Sequence, residues 1–351
     1  MTRTAYLHMG ANKTGSSAIQ AWVAAHDATL ATAGIAVPTA HVGATGNAPR
    51  LANALCLPAA ELPADGAEAR HGFAKWLIGQ DSDILISAEK FSTFAAQGHM
   101  RRCAALFRNR GFRICAVIYV RNQIDRINSS VAQRSKRLRK RIDLTAPMDN
   151  ILDDRENWAA CLQTIKTAGF DLRVGVYPLP DRAVSMPEHL MTKLGLRDRF
   201  PDDTDFTVGH ANPSLGELGV LLANRIAHQV GDLSDAQRQS WSLAVLDAFK
   251  DLPDKPFNGF NQDEMDQLEQ RYAAGNALMT RWLNQQEMSS LTTSKSRGRP
   301  PSPRRMEEMD NTQANIMATA IDRLCGTVES SDRLNGTLPP DAIRALLPDM
   351  P

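Results

Sequence analysis

The residues best suited to chemistry stand in one short run, Gly10-Ala11-Asn12-Lys13-Thr14-Gly15-Ser16-Ser17. A glycine-containing loop that opens a helix presents free backbone N–H groups and a positive dipole end, which together favour a phosphate or a similar oxyanion. Lys13 adds a point charge, and the hydroxyls of Thr14, Ser16 and Ser17 add donors. The loop is not of the Walker type, which needs Gly-Lys-Ser/Thr after four spacer residues; here the lysine precedes its glycine by two positions. A second cation closes the apolar run Ala116-Val117-Ile118-Tyr119-Val120 at Arg121, a position that, taken alone, more often serves a surface salt bridge than an anion. The planar guanidinium of arginine donates two hydrogen bonds to a phosphate and keeps its charge. A third group is Glu89, which follows the run Ile84-Leu85-Ile86-Ser87-Ala88. A carboxylate at the carboxyl end of a parallel strand faces the ligand crevice of the sheet, although Glu89 beside Lys90 is equally read as a surface ion pair.

The order Lys13-Thr14-Gly15-Ser16-Ser17 resembles the Lys-Thr-Gly-Thr-Thr loop of sulfotransferases that use 3′-phosphoadenosine 5′-phosphosulfate (PAPS). In that family the loop holds the 5′-phosphosulfate. An arginine closing a later strand, with a serine eight residues on, holds the 3′-phosphate, and Arg121 and Ser129 match that pair. Asn12 stands where proline is frequent in the family, and serines replace the threonine pair while keeping the hydroxyls. The resemblance covers about residues 4–285 and includes Asn212-Pro213-Ser214-Leu215, similar to a segment of bacterial members. It implies a P-loop-like three-layer fold and an enzyme that moves a sulfuryl group from PAPS to a hydroxyl or amine. The acceptor is then a carbohydrate, a glycolipid or another small molecule, the product 3′,5′-bisphosphoadenosine, and no metal is required. Asn12, Lys13, Thr14, Gly15, Ser16, Ser17, Arg121 and Ser129 are the implied nucleotide contacts, with Lys13 also stabilising the leaving phosphate.

Glu89-Lys90-Phe91-Ser92 looks like the Glu-Lys-Ser segment of heparan sulfate sulfotransferases, in which the glutamate is the catalytic base. Lys90 is then placed to touch the sulfate or an acidic acceptor. Cytosolic relatives use a histidine as base, which leaves His41, in a glycine-rich loop, as the alternative to Glu89; His210 is a further one, and His8 reads as core or wall. Lys295 to Pro300, KSRGRP, is similar to a Lys-Gly-Arg loop that closes over the nucleotide in the heparan sulfate enzymes.

The elements that must position these residues are legible as well. Ala5-Tyr6-Leu7-His8-Met9 reads as a buried strand, followed after the loop by a helical pattern through Ile19, Trp22, Val23 and His26. Ile84–Ile86, Ile114–Val120 and Leu172–Tyr177 are near-continuous apolar runs, the mark of parallel strands covered on both faces. Helical segments around 98–109 and 150–168 separate them, which predicts an α/β fold with a central parallel sheet flanked by helices. Residues 34–66 look loop-rich, with one short helix at Arg50–Leu55. Beyond Pro180 the pattern turns helical, near 187–194, 214–230, 234–249 and 262–286, giving a helical second half.

The 351 residues hold 40 Lys plus Arg against 39 Asp plus Glu, a balance that speaks against a dedicated nucleic-acid binder. Five scattered cysteines without a Cys-x-x-Cys pair suggest neither a disulfide framework nor a zinc site. No secretory signal or membrane span is visible, so the sequence reads as soluble and cytoplasmic. Arg134 to Arg141, RSKRLRKR, carries six basic residues in eight positions. It reads either as a rim that attracts an anionic acceptor, with Gln133 and Arg134 lining the acceptor side, or as a solvated helix face balanced by Asp149, Asp153, Asp154 and Glu156. The expected organisation is a domain over 1–286, a flexible basic Ser/Pro-rich linker over 287–311, and a tail over 312–351 with a short helix. Two other functions compete with sulfuryl transfer: a non-catalytic nucleotide- or polysaccharide-binding protein, and a small-molecule kinase.

Overall fold

The computed structural model describes residues 2–138, 142–146, 157–208, 214–331, 334 and 337–347. The chain divides into two compact units, the first from Met1–Gln123, Asp154–Ala211 and Glu269–Ser294, the second from Ile124–Asp153, Asn212–Leu268 and Lys295–Pro351.

The first unit is built on a five-stranded, all-parallel sheet of β1 (Thr4–His8), β2 (Ile35–Ala36), β3 (Asp83–Ser87), β4 (Arg113–Val120) and β5 (Asp171–Val176), in the order β2-β3-β1-β4-β5. Successive strand residues point to opposite faces, and both faces are apolar. On one face Ala5, Leu7, Ile84, Ile86, Ala116 and Ile118 pack against α3 (Pro49–Cys56), α4 (Gly66–Ile78), α5 (Lys90–Ala96), α6 (Met100–Arg108) and α8 (Trp158–Thr167). On the other, Tyr6, Leu85, Cys115, Val117 and Tyr119 pack against α1 (Ser16–Ala25), α2 (Asp27–Thr32) and α9 (Met186–Leu194). This is an α/β arrangement, as the alternation of apolar runs and helical patterns implies. Strand β2 is only two residues long and sits at the sheet edge, too short to leave a pattern in sequence.

The second unit is helical: nearly all of α7 (Gln123–Lys136), α10 (Glu217–Gln229), α11 (Asp235–Ala248), the first part of α12 (Gln262–Ala277), α14 (Asn311–Glu329) and α15 (Pro340–Arg344). Ser234 with Gln237, and Asp310 with Gln313, close reciprocal capping boxes that fix where α11 and α14 begin. No helix among the described residues is long and apolar enough to cross a membrane.

The structure differs from the expected linker and tail. Residues Gln285–Thr292 form a helix (α13) within the first unit, with Leu291 in its core. In the second unit the Pro-rich stretch is pinned by Asn258, whose Nδ2 donates to the carbonyls of Arg299 and Pro300 at 3.2 and 3.1 Å and whose backbone exchanges hydrogen bonds with Ser302. Its cations meet distant acids, Arg297 with Asp266 at 3.0 Å and Arg304 with Glu264 at 3.0 Å. The partners lie far away in sequence, so a composition reading sees only basic, proline-rich chain. The short helix expected afterwards is the 19-residue α14.

Candidate functional site

All five strands run the same way, so their carboxyl ends share one edge. The crevice of such a sheet opens where the strand order reverses, here beside the central β1. The segments leaving β1, β3, β4 and β5 carry Lys13, Glu89, Arg121 and Tyr177 respectively.

The loop from β1 to α1 prolongs the pairing with β4. Met9 N donates to Val117 O at 2.8 Å, Ala11 N to Tyr119 O at 3.0 Å, and Tyr119 N to Gly10 O at 2.6 Å. Thr14 Oγ1 and Ser16 Oγ both donate to Ala11 O, at 2.6 and 3.1 Å, and both side chains are buried. These two hydroxyls, expected as ligand donors, therefore brace the loop internally, whereas Ser17 is exposed. Gly10, Lys13 and Gly15 take positive φ values of 83°, 68° and 80°. For a lysine that conformation costs about 1–3 kcal/mol and persists only where the surroundings hold it. The holder is Arg121, whose Nη1 donates to Lys13 O at 2.9 Å, while Trp158 Nε1 donates to Arg121 O at 2.9 Å. Helix α1 then starts at Gly15 with no side-chain cap and no acidic residue in its first turn, so its amino end keeps its positive character.

Glu89 lies against this loop. A Cβ placed on Gly10 would stand 3.1 Å from Glu89 Cα and 3.4 Å from its Cγ, so no larger residue fits there without a shift. Glu89 is half-buried and opens the first turn of α5, its carbonyl accepting from Ser92 Oγ at 2.7 Å. On the far side, a Cβ on Gly15 would stand 2.9 Å from Tyr177 Cε2 and 3.2 Å from Met186 Cγ. The Arg121 guanidinium carbon is 5.5 Å from the centre of the same Tyr177 ring. Gly15→Ala combines a strained φ with this clash and is expected to destabilise the fold by about 2 kcal/mol. A thermal melt checks it.

The structure thus brings Asn12–Ser17, Glu89 and Arg121 to one edge of the first unit. Ser129, Gln133 and Arg134 are on α7 in the second unit, the first two half-buried and Arg134 exposed. Lys90 is exposed, with its ammonium 5.8 Å from the centre of the Phe94 ring one turn along its own helix. His41 lies over α4: its ring meets Phe73 edge-on at 5.9 Å, and a Cβ on Gly72 would be 3.0 Å from its Cε1. In the basic run Lys136 is buried and Arg137 exposed; residues 139–141, with the acids at 149, 153, 154 and 156, His210, Asn212 and Pro213, lie outside the described residues. Trp158 and Tyr177 were missed in the sequence. Tyr177 ends the β5 run as Arg121 ends β4, so strand-end position was the available signal; Trp158 gave none. Among the described residues no group of three or more His, Cys, Asp or Glu side chains could hold a metal ion.

Two histidines behind the site are held neutral. His8 is fully buried, and loss of hydration lowers its pKa from 6.5 to about 3. His189 is lowered to about 4, first by burial and then by the nearby Lys193, and its Nδ1 is hydrogen-bonded to Tyr119 Oη at 2.9 Å. In the unfolded chain both take up protons near pH 6.5, while in the fold they stay neutral until pH 3–4. The unfolded state therefore binds more protons across that window, and stability falls as pH drops through it. The melting temperature is expected to be insensitive to these groups above about pH 7. It should fall steadily towards pH 4, as melts across that range would record.

No family model, no curated protein and no solved structure matches the chain.

Proposed function

We propose that the chain is a PAPS-dependent sulfotransferase of P-loop-like architecture acting on a hydroxyl or amine of a carbohydrate, glycolipid or other small acceptor. The observation that carries the reading is the joint position of three groups. A lysine loop in left-handed conformation opens α1, Arg121 ties down the backbone of Lys13, and Glu89 touches Gly10. A cationic loop at an uncapped helix start fits a phosphosulfate, and an arginine at the next strand end fits a second phosphate. The sequence pattern Lys13 to Ser17, with Arg121 and Ser129, gives the nucleotide its expected 3′-phosphate.

When bound, PAPS supplies an activated sulfuryl group. The chain's own residues then position and neutralise. Lys13 and the first N–H groups of α1 stabilise charge on the leaving phosphate, a preorganised electrostatic contribution. Arg121 acts twice, on phosphate through its guanidinium and on loop shape through Lys13 O. Glu89 accepts the acceptor's proton as general base. Tyr177, against both Gly15 and Arg121, forms an apolar wall beside the nucleotide. Five free cysteines, all buried, suit a reducing, cytoplasmic setting.

The test is incubation with sulfur-labelled PAPS and a panel of sugars, glycolipids and phenols. Label transfer with release of 3′,5′-bisphosphoadenosine supports the reading. Binding of the nucleotide without transfer to any acceptor would favour the non-catalytic alternative, and Mg-dependent phosphoryl transfer from ATP would favour the kinase.

A further inference from the structure

His8 is the last residue of β1 and Ser87 the last of β3, and the two are paired in register. Their side chains join the strands a second time, His8 Nδ1 to Ser87 Oγ at 2.7 Å, with both residues buried. Immediately beyond, Ala88 N donates to His8 O at 3.0 Å, and Gly10 abuts Glu89. The pair therefore links, at their carboxyl ends, the strand leading to Lys13 and the strand leading to Glu89.

The surroundings argue that His8 is not there to fill the core. It follows Ala5, Tyr6 and Leu7 in a buried strand and meets the edge of Tyr119 at 5.9 Å. Among the described residues its Nε2 is buried without a hydrogen-bond partner, an arrangement that weakens a fold and that an apolar side chain would avoid. Local rules broken at a cost to stability are characteristic of functional positions.

We propose that His8 is a positioning residue whose hydrogen bond to Ser87 sets the spacing between the Lys13 loop and Glu89. In its catalytic consequence this rests on the sulfuryl-transfer reading; in its structural consequence it does not. Replacing both partners by apolar groups, His8→Leu with Ser87→Ala, removes the link without leaving a buried polar group unpaired.

Amide hydrogen exchange tests the structural part. The double variant is expected to melt at or above the wild-type temperature at pH 7.5, while amides of Met9–Ser17 and Ala88–Ser92 exchange about tenfold faster, the loss of one hydrogen bond. His8→Asn, which keeps a polar atom near the Nδ1 position, should restore slow exchange; His8→Gln, which places its amide nearer Nε2, should not. Unchanged exchange in the double variant, or equal rescue by Gln and Asn, overturns the proposal. A lower melting temperature with uniformly faster exchange also overturns it, because it marks a merely structural pair. Where label transfer is measurable, kcat should fall about tenfold in the double variant with the affinity for 3′,5′-bisphosphoadenosine unchanged. Absence of transfer in the wild type would count against the sulfuryl-transfer reading alone, since the exchange experiment does not depend on it.

Discussion

The Lys13→Ala chain is expected to transfer sulfuryl groups about 10²–10³ times more slowly than wild type, the usual cost of one preorganised donor to a developing negative charge. The loss should appear in kcat, because in the proposed sulfuryl transfer the lysine acts most strongly on charge that grows as the bond to the leaving phosphate breaks. The backbone argues that this effect can be separated from folding. Lys13 sits at φ 68°, where alanine is strained as much as lysine, and Arg121 holds its carbonyl rather than its side chain at 2.9 Å. Lys13→Gly removes the same charge and relieves the strain, a gain of about 1 kcal/mol. Both variants should be equally slow, and the glycine variant should melt higher than the alanine one. A Lys13→Gly enzyme with wild-type turnover would show that the loop needs its shape alone.

The second large effect is expected at Glu89. Glu89→Gln keeps the volume beside Gly10 and removes the proposed general base, so turnover should fall by about 10²–10⁴. Affinity for 3′,5′-bisphosphoadenosine should stay within about twofold of wild type, since an uncharged amide at that point removes no cation from the phosphate sites. Glu89→Asp should lie in between, because the shorter side chain withdraws the carboxylate from the crevice. His41→Ala should leave the rate unchanged, given that its ring is seated on Gly72 and Phe73 of α4. If Glu89→Gln retains full activity and His41→Ala loses it, the base has been assigned to the wrong residue.

The gathering of these candidate residues at one sheet edge is legible in the sequence. Lys13, Glu89 and Arg121 each follow an apolar run, and a parallel sheet gathers such strand ends at one edge. The runs themselves were legible because a strand covered on both faces is apolar at every position. Local and tertiary contacts decide the rest. The hydroxyls of Thr14 and Ser16 serve Ala11 O, three and five residues back in the same loop, a local use that competes with ligand binding. His41 lies in a glycine-rich loop that could have folded over the site, yet its ring packs on α4. Residues 287–311 read as a free linker because their composition is basic and Ser/Pro-rich. Asn258, Glu264 and Asp266 hold them down from tens of residues away. The sequence pattern pairs Arg121 with Ser129, whereas the contact pattern assigns them to different units.

The 3′-phosphate is the most specific feature of the account, and titration calorimetry tests it most directly. Wild-type protein, Arg121→Ala and Arg121→Lys are each titrated with 3′,5′-bisphosphoadenosine and with AMP. Wild type should prefer the bisphosphate about 10- to 100-fold, the value of a charged hydrogen-bonded pair. That preference should vanish in Arg121→Ala and shrink in Arg121→Lys, even where loosening of the Lys13 loop weakens both ligands together. The ratio within each protein isolates the phosphate–arginine interaction from the loop effect. Equal affinity of wild type for the two nucleotides, or binding of neither, would contradict the account, leaving the lysine loop as an anion-binding turn without the nucleotide it resembles a site for.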